Sequence, residues 1–473
     1  MAKDEKGLVW LRRDLRLRDN RALAAATQSA ARVYCVFVFD TCILEKLVDP
    51  DDRRLTFIYE CLQDLATQLG QLGSALIVKI GDPIQVIPDL ARELSVSAVY
   101  FNEDYAPYAK KRDGQVRELL EKQNMAALSF KDHVIFAGSE IQTQKATPFK
   151  VFTPYKQSWL KAFSPGLCQE ATADLSKLAP APPTINGELP PLAEVGFQLR
   201  TDNILRGGEQ AAQTRLKEFC QGRIAGYDQG RDFPYLDGTS YLSPYLRFGC
   251  LSSRQVVAQA YAAQKASKNW LNELIWREFY QMILDQFPHS AWHSFKPQYE
   301  HLAWPGKPDH LGAWQEGRTG YPLVDAAMRG LRATGWMHNR LRMVVASFLC
   351  KDLLLDWRQG ARHFARYLLD YDLAANSGGW QWSASTGCDA QPYFRIFNPV
   401  QQSLRFDADG TFIRTWCPEL KKLDNKNIHA PWLASPQILQ HAQIALGRDY
   451  PWPIVEHRQQ ATQAIALFKG LSA

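Results

Sequence analysis

The chain contains no Cys-x-x-Cys pair; its nine cysteines are scattered from Cys35 to Cys417, with no clustered histidines near them. That pattern excludes a disulfide framework and a cysteine–histidine zinc site, so no metal and a reducing compartment are expected. No apolar run reaches the roughly 18 residues that a membrane helix needs. The opening Met-Ala-Lys-Asp-Glu-Lys is charged and leads into no signal-type apolar core, so a cytoplasmic protein is expected. A strong excess of one charge is missing too: 55 Lys and Arg against 49 Asp and Glu leave +6, which permits an anionic partner without demanding one. There is no internal repeat, no low-complexity tail, and no Gly-x-Gly-x-x-Gly after the first candidate strand, which argues against an ordinary dinucleotide site there.

What the chain does have is length and apolar content. Its 473 residues, 46% of them hydrophobic, are enough for two cores. Short β-branched and aromatic runs at 7–11, 32–39, 75–80, 98–102 and 127–130 predict strands, with helical periodicity between them, as at 55–69 and 84–94. Near-continuous apolar strands predict a parallel sheet buried on both faces, an α/β doubly wound domain. From about Phe136 to Arg206 the periodicity fades, and Leu-Ala-Pro-Ala-Pro-Pro (178–183) and Pro190-Pro191 cannot propagate a helix. The expected division is an α/β domain over 1–135, a linker over 136–205 and a helical domain over 206–473.

The helical part holds the unusual chemistry. Asp370-Tyr-Asp-Leu-Ala-Ala-Asn-Ser-Gly-Gly-Trp-Gln-Trp382 joins two acids, an amide, a glycine pair and two tryptophans, a combination that no apolar core requires. In Trp270-Leu-Asn-Glu-Leu-Ile-Trp-Arg-Glu-Phe-Tyr280, the residues Glu273, Trp276, Arg277 and Tyr280 share one helical face. Gly335-Trp-Met-His-Asn-Arg-Leu-Arg-Met343 pairs Asn339 with Met343 and His338 with Arg342 at i, i+4, and Asn can read a base edge. Arg231-Asp-Phe-Pro and Gly238-Thr-Ser-Tyr-Leu-Ser243 offer hydroxyls and backbone N–H groups for a pyrophosphate, or a plain helix cap. Arg340, Arg395 and Lys351 suggest a basic rim.

Taken together, these motifs resemble the photolyase and cryptochrome family, most closely its class I cyclobutane pyrimidine dimer photolyases. Trp10-Leu-Arg-Arg-Asp-Leu-Arg-Leu17, Thr319-Gly-Tyr-Pro-Leu-Val-Asp-Ala-Ala-Met-Arg329, Tyr393-Phe-Arg-Ile-Phe-Asn-Pro399 and Ile454-Val-Glu-His457 extend the resemblance over almost the whole chain. It implies light-driven dimer repair in DNA by reduced FAD, with Tyr227, Thr239, Ser240, Leu242 and Ser243 on the phosphates and ribose and Arg277 on the FAD side of its helix. Arg342 and Asp370 pair beside the flavin ring, Asp372 meets its polar edge and Asn376 faces its reactive nitrogen. A flipped-out dimer meets Trp276, Trp382 and Met343, with Glu273 and Asn339 on the pyrimidine edges and Arg231, Arg340 and Arg395 on flanking phosphates. Trp380, Trp357 and Trp304 match an electron-carrying tryptophan chain.

The chain departs from many relatives in Tyr371 and Ser377, where they carry Gly and Asn. Ala291, Trp292 and Ala109 stand where folate-binding relatives carry Cys, Lys and Glu. By contrast, Phe37-Val-Phe-Asp-Thr-Cys-Ile-Leu44 and Asn102-Glu-Asp-Tyr-Ala-Pro-Tyr108 resemble relatives that bind 8-hydroxy-5-deazaflavin, which implies that antenna, touched by Phe37, Asp40, Asp104 and Arg247, ahead of FMN, methenyltetrahydrofolate or no antenna. The expected assembly is a monomer without an obligate protein partner. A cryptochrome-like photoreceptor is the alternative; a (6-4) photolyase is disfavoured by the missing His-His pattern, and a light-independent oxidoreductase by the missing nicotinamide fingerprint.

Overall fold

The computed structural model describes residues 5–185 and 187–470. Five strands, β1 (Lys6–Leu11), β2 (Arg32–Asp40), β3 (Leu76–Gly81), β4 (Ala98–Asn102) and β5 (Ala126–Phe130), pair in parallel in the order β3-β2-β1-β4-β5. Each lies within one residue of its expected run. The crossovers include helices α1 (Arg21–Ser29), α2 (Arg53–Gln71), α3 (Pro83–Leu94) and α4 (Pro107–Lys122). Asn20, Asp52 and Asp82 cap the first three, each accepting from a backbone N–H of the first turn. Leu8, Trp10, Val36, Ile77, Val99 and Phe101 turn to one core with Ile87, Leu90, Val116 and Leu120 of α3 and α4. The alternate residues Val9, Leu11, Cys35 and Phe39 are buried as well, so the sheet is covered on both faces as expected.

The segment 136–205 is less plain than its sequence suggests. Helix α5 (Phe152–Ala162) lies inside it, and Tyr155 and Trp159, four residues apart, are fully buried. The indole N–H of Trp159 donates to Glu278 at 2.6 Å, and that carboxylate also accepts from the N–H groups of Ile135 and Phe136. Beyond α5, among the described residues up to 205, the helical elements are short 3-10 turns at Pro165–Cys168, Leu175–Lys177 and Leu192–Val195.

The remainder is helical. The elements that carry the site are α6 (Ser243–Phe248), α7 (Ser253–Ala262), α8 (Asn269–Gln286), α9 (Pro322–Thr334), α10 (Asn339–Ser347), α11 (Trp357–Tyr367), α12 (Leu373–Ala384), α13 (Pro399–Phe406) and α14 (His457–Lys469). Two compact units result: Met1–Phe149, Thr153–Ala225 and Ser240–Pro288 form one, while Lys150–Phe152, Gly226–Thr239 and His289–Ala473 form the other.

In the first unit a buried ionic network surrounds Asp132. Its carboxylate meets Arg16 at 2.6 Å and Arg254 at 2.8 Å, and Arg254 also reaches Asp19 at 2.8 Å. In the second unit Val324, Met328 and Leu331 of α9 pack with Leu341 and Val344 of α10, Trp357 and Phe364 of α11, and Trp380 of α12. A π-helical turn, Phe348–Asp352, follows α10. It corrects the expectation of a basic rim at Lys351. That side chain is fully buried, with its ammonium 3.0 Å from Ser385 Oγ, 3.3 Å from the carbonyl of Ala384 and 3.7 Å from the ring centre of Phe468. No described helix is long and apolar enough to cross a membrane.

Candidate cofactor and substrate site

In the second unit, α12 carries three of the singled-out residues on one face. Asp372 is its N-cap, accepting from the N–H groups of Ala374 and Ala375 at 3.0 and 3.2 Å, and Asn376 and Trp380 follow one and two turns later. The amide nitrogen of Asn376 donates to the carbonyl of Ala361 at 3.1 Å, which leaves Oδ1 buried with no partner among the described residues. Such a buried acceptor costs about 1–3 kcal/mol and marks a place where an external N–H belongs. One turn along, a Cβ at Gly379 would meet no atom within 4 Å. These features fit a planar group presenting an N–H to α12, as a reduced flavin does.

The sequence pattern missed the glycine that brings the tryptophans together. A Cβ at Gly360 of α11 would lie 2.0 Å from the ring of Trp380, so only glycine lets the two helices close on that indole. Trp357 begins α11 one turn earlier, and Arg358 lies 5.0 Å from its ring centre. Both indole nitrogens are buried and, among the described residues, have no acceptor. Trp304 packs at the margin of this core, edge-on to Phe468 at 6.2 Å. Trp314, which no motif marked, stands edge-on to Trp380 at 6.0 Å. Tyr371 finds room by packing against the same core.

Helix α10 begins at Asn339, with His338 rather than an upstream residue as its cap: Nδ1 accepts from the N–H of Arg340 at 3.1 Å. Burial pushes the imidazole down to about 4, so it is neutral. Asn339 is exposed and its amide approaches Met343 Sδ at 3.9 Å, the expected i, i+4 pair. Arg342 donates to the carbonyl of Met337 at 2.8 Å and holds buried Asp370 through contacts of 2.8 and 3.0 Å. His338 therefore does not meet Arg342 as a side-chain pair; it caps the helix instead. Tyr227 is buried beneath the guanidinium of Arg231, and Thr239 Oγ1 is buried without a partner among the described residues. Trp382 is half-buried, and Arg395 is exposed beside Phe394.

In the first unit, Glu273, Trp276, Arg277 and Tyr280 form a half-buried stripe along α8, while Ile275, Glu278 and Phe279 face the core. The ring of Trp276 lies 5.5 Å from that of Tyr280, and Arg277 donates to the carbonyl of His133 at 2.8 Å. The Thr-Ser pair does not cap the next helix: Leu242 holds the cap position of α6 without a side-chain bond, and Ser240 and Ser243 precede and open that helix. Near the strand ends, Asp40 accepts from Tyr108 at 2.8 Å and pairs with Arg112 at 3.1 Å. Asp104 pairs with Arg13 at 2.9 Å; burial alone would raise its pKa, but Arg13, Arg247 and Arg12 hold the carboxyl well below the usual range. Phe37 is buried edge-on to Phe39 at 5.1 Å.

Family models match both halves: DNA photolyase over residues 7–180, and the FAD binding domain of DNA photolyase over residues 270–470. The deoxyribodipyrimidine photo-lyases of Synechococcus and Escherichia coli are each 41% identical, over 98% of this chain and 97% and 98% of their own lengths. The chain belongs to the DNA photolyase family. Among solved members, a bacterial class III photolyase from Agrobacterium tumefaciens superposes with a TM-score of 0.90 at 33% identity, covering 100% of this chain and 98% of that one. A cryptochrome from Synechocystis gives 0.87 at 30%, covering 99% and 100%, and an archaeal photolyase from Sulfolobus tokodaii with two FAD molecules gives 0.84 at 31%, covering 98% and 100%. The photolyase FAD-binding match takes in α8, α10, α11 and α12, the helices that carry most of the singled-out side chains.

Proposed function

We propose that this chain splits cyclobutane pyrimidine dimers in DNA with light, as a class I enzyme. Family membership over the full length supports the reaction, and the observation on the molecule itself that carries it is the unpartnered carbonyl of Asn376, placed to accept an N–H. When bound and reduced, FAD supplies a photoexcitable one-electron donor; the protein supplies orientation and electrostatics. Tyr227, Thr239, Ser240, Leu242 and Ser243 hold its phosphates and ribose, and Arg277 lies on the FAD side of its helix. The Arg342–Asp370 pair fixes a dipole beside the ring, and Asp372 addresses the ring's polar edge while capping α12. Trp304, Trp357 and Trp380 would relay electrons from an external reductant at the surface toward bound FAD.

Photolyases act on bases taken out of the duplex stack. Trp276 and Trp382 offer aromatic faces to the extruded pyrimidines, with Met343 as a soft contact. Glu273 and Asn339 hydrogen-bond the pyrimidine edges, and Glu273 also steadies the negative charge that arrives on the dimer by sharing a proton with it. Arg231, Arg340 and Arg395 take phosphates and give salt-dependent affinity. Trp276→Ala should weaken binding of a dimer-containing duplex by about 1–3 kcal/mol, about 5- to 150-fold, and leave intact duplex nearly unchanged. Equal affinity of the unsubstituted protein for damaged and intact duplex would favour the photoreceptor reading, which the cryptochrome superposition keeps in view.

We assign an antenna of 8-hydroxy-5-deazaflavin to Phe37, Asp40, Asp104 and Arg247, ahead of FMN; the non-ionisable Ala109, Ala291 and Trp292 weaken methenyltetrahydrofolate. Chromophore extraction and absorption spectra decide among them. The functional division is placed at 1–135, 136–205 and 206–473, in a cytoplasmic monomer. All nine cysteines are free thiols, which supports a reducing compartment.

A further inference from the structure

Arg340, assigned above to a DNA phosphate, already holds an acid. Its Nη2 lies 2.9 Å from Asp232 Oδ1, with 18% of the Arg340 side chain and 38% of the Asp232 side chain accessible. The guanidinium sits 4.3 Å from the ring centre of Phe406, at the end of α13, and Phe233, next to Asp232, packs edge-on against the same ring at 6.2 Å. The loop bearing Asp232 is pinched at its base, where a Cβ on Gly238 would come 2.7 Å from the carbonyl of Gly230. Asp232 is therefore fixed beside the cation rather than meeting it by chance, and little side-chain entropy remains to be lost in the pair. Its hold runs from one nitrogen to a single oxygen, and the Arg340 side chain keeps 18% of its surface accessible, so the guanidinium has room for a second acceptor.

We propose that Asp232 is a built-in phosphate mimic that occupies Arg340 in the free protein and must yield, or share the guanidinium, when a DNA phosphate arrives. It acts through Arg340 as a positioning residue and lowers affinity for any phosphate backbone, so that contacts with phosphate alone do not retain the enzyme on intact DNA. This rests on the reading of Arg340 as a phosphate ligand. The test is equilibrium binding of intact and dimer-containing duplexes by the full chain, across a salt series. Asp232→Asn should tighten both complexes about three- to fivefold at low salt, with the gain shrinking as salt screens it. Asp232→Glu should restore the original affinity, and Arg340→Gln should weaken binding and abolish any gain from Asp232→Asn in the double variant. A loss of structure lowers affinity, so a gain cannot come from misfolding; Asp232→Ser serves if the Asn variant does not fold. If Arg340→Gln weakens binding while neither folded Asp232 variant tightens it, the mimic is refuted and the DNA reading stands. If Arg340→Gln leaves binding unchanged, the phosphate role of Arg340 falls and the mimic with it.

Discussion

Gly360 shows how a single missing methyl group sets the site. The ring of Trp380 occupies the space that any Cβ there would need. Gly360→Ala should cost about 1–3 kcal/mol in overpacking and shift the indole, so that photoreduction of oxidised FAD slows. Thermal melts and flash-induced flavin bleaching read the two effects, and an unchanged melting temperature would contradict the close packing. Lys351 is the opposite case, a charge placed where apolar atoms belong. Burial lowers its ammonium to about 7, against about 10.4 for an exposed lysine. Below about pH 7 the folded state carries the full cost of the buried charge. Between about 7 and 10.4 the unfolded chain holds a proton that the folded one has released, so stability rises with pH. Lys351→Met should therefore raise the melting temperature most at pH 6 and progressively less toward pH 10; a pH-independent difference would refute the assignment. Asp370, Asn376 and Trp380 stood out in the sequence because their types are costly without a partner. Lys351 misled because its type is nearly always exposed, and Gly360 and Asp232 were silent because their meaning depends on which ring or cation stands opposite.

The elements of the sheet were readable because each strand buried on both faces is a short apolar run, whatever lies beside it. Helix α5 was not, since its two fully buried aromatics lie in a polar segment flanked by prolines and glycine; its place depends on Glu278, more than a hundred residues away, receiving the indole N–H of Trp159. Asp132 joins elements in the same way, linking the end of β5 to Arg16 after β1 and to Arg254 of α7. Asp132→Ala would leave two buried cations short of their counter-charge and should cost about 3–5 kcal/mol in urea unfolding. A loss below about 1 kcal/mol, the value of an exposed pair, would contradict the burial of this network.

For the whole molecule, the parallel sheet and the helical second half were legible, whereas the strand order and the composition of the compact units were not. Gly226–Thr239 joins the second unit while Ser240–Pro288, including the stripe on α8, belongs to the first. Sequence periodicity reports which face of an element is apolar, not which unit that face packs into. The central claim is that these residues make a light-driven repair enzyme. The most direct measurement is recovery of thymine absorbance when the full chain, loaded with reduced FAD, is illuminated with blue or near-UV light in the presence of thymine-dimer DNA, against a dark control. The account predicts recovery in the light and none in the dark; a flat trace in both, with FAD bound and reduced, would contradict it.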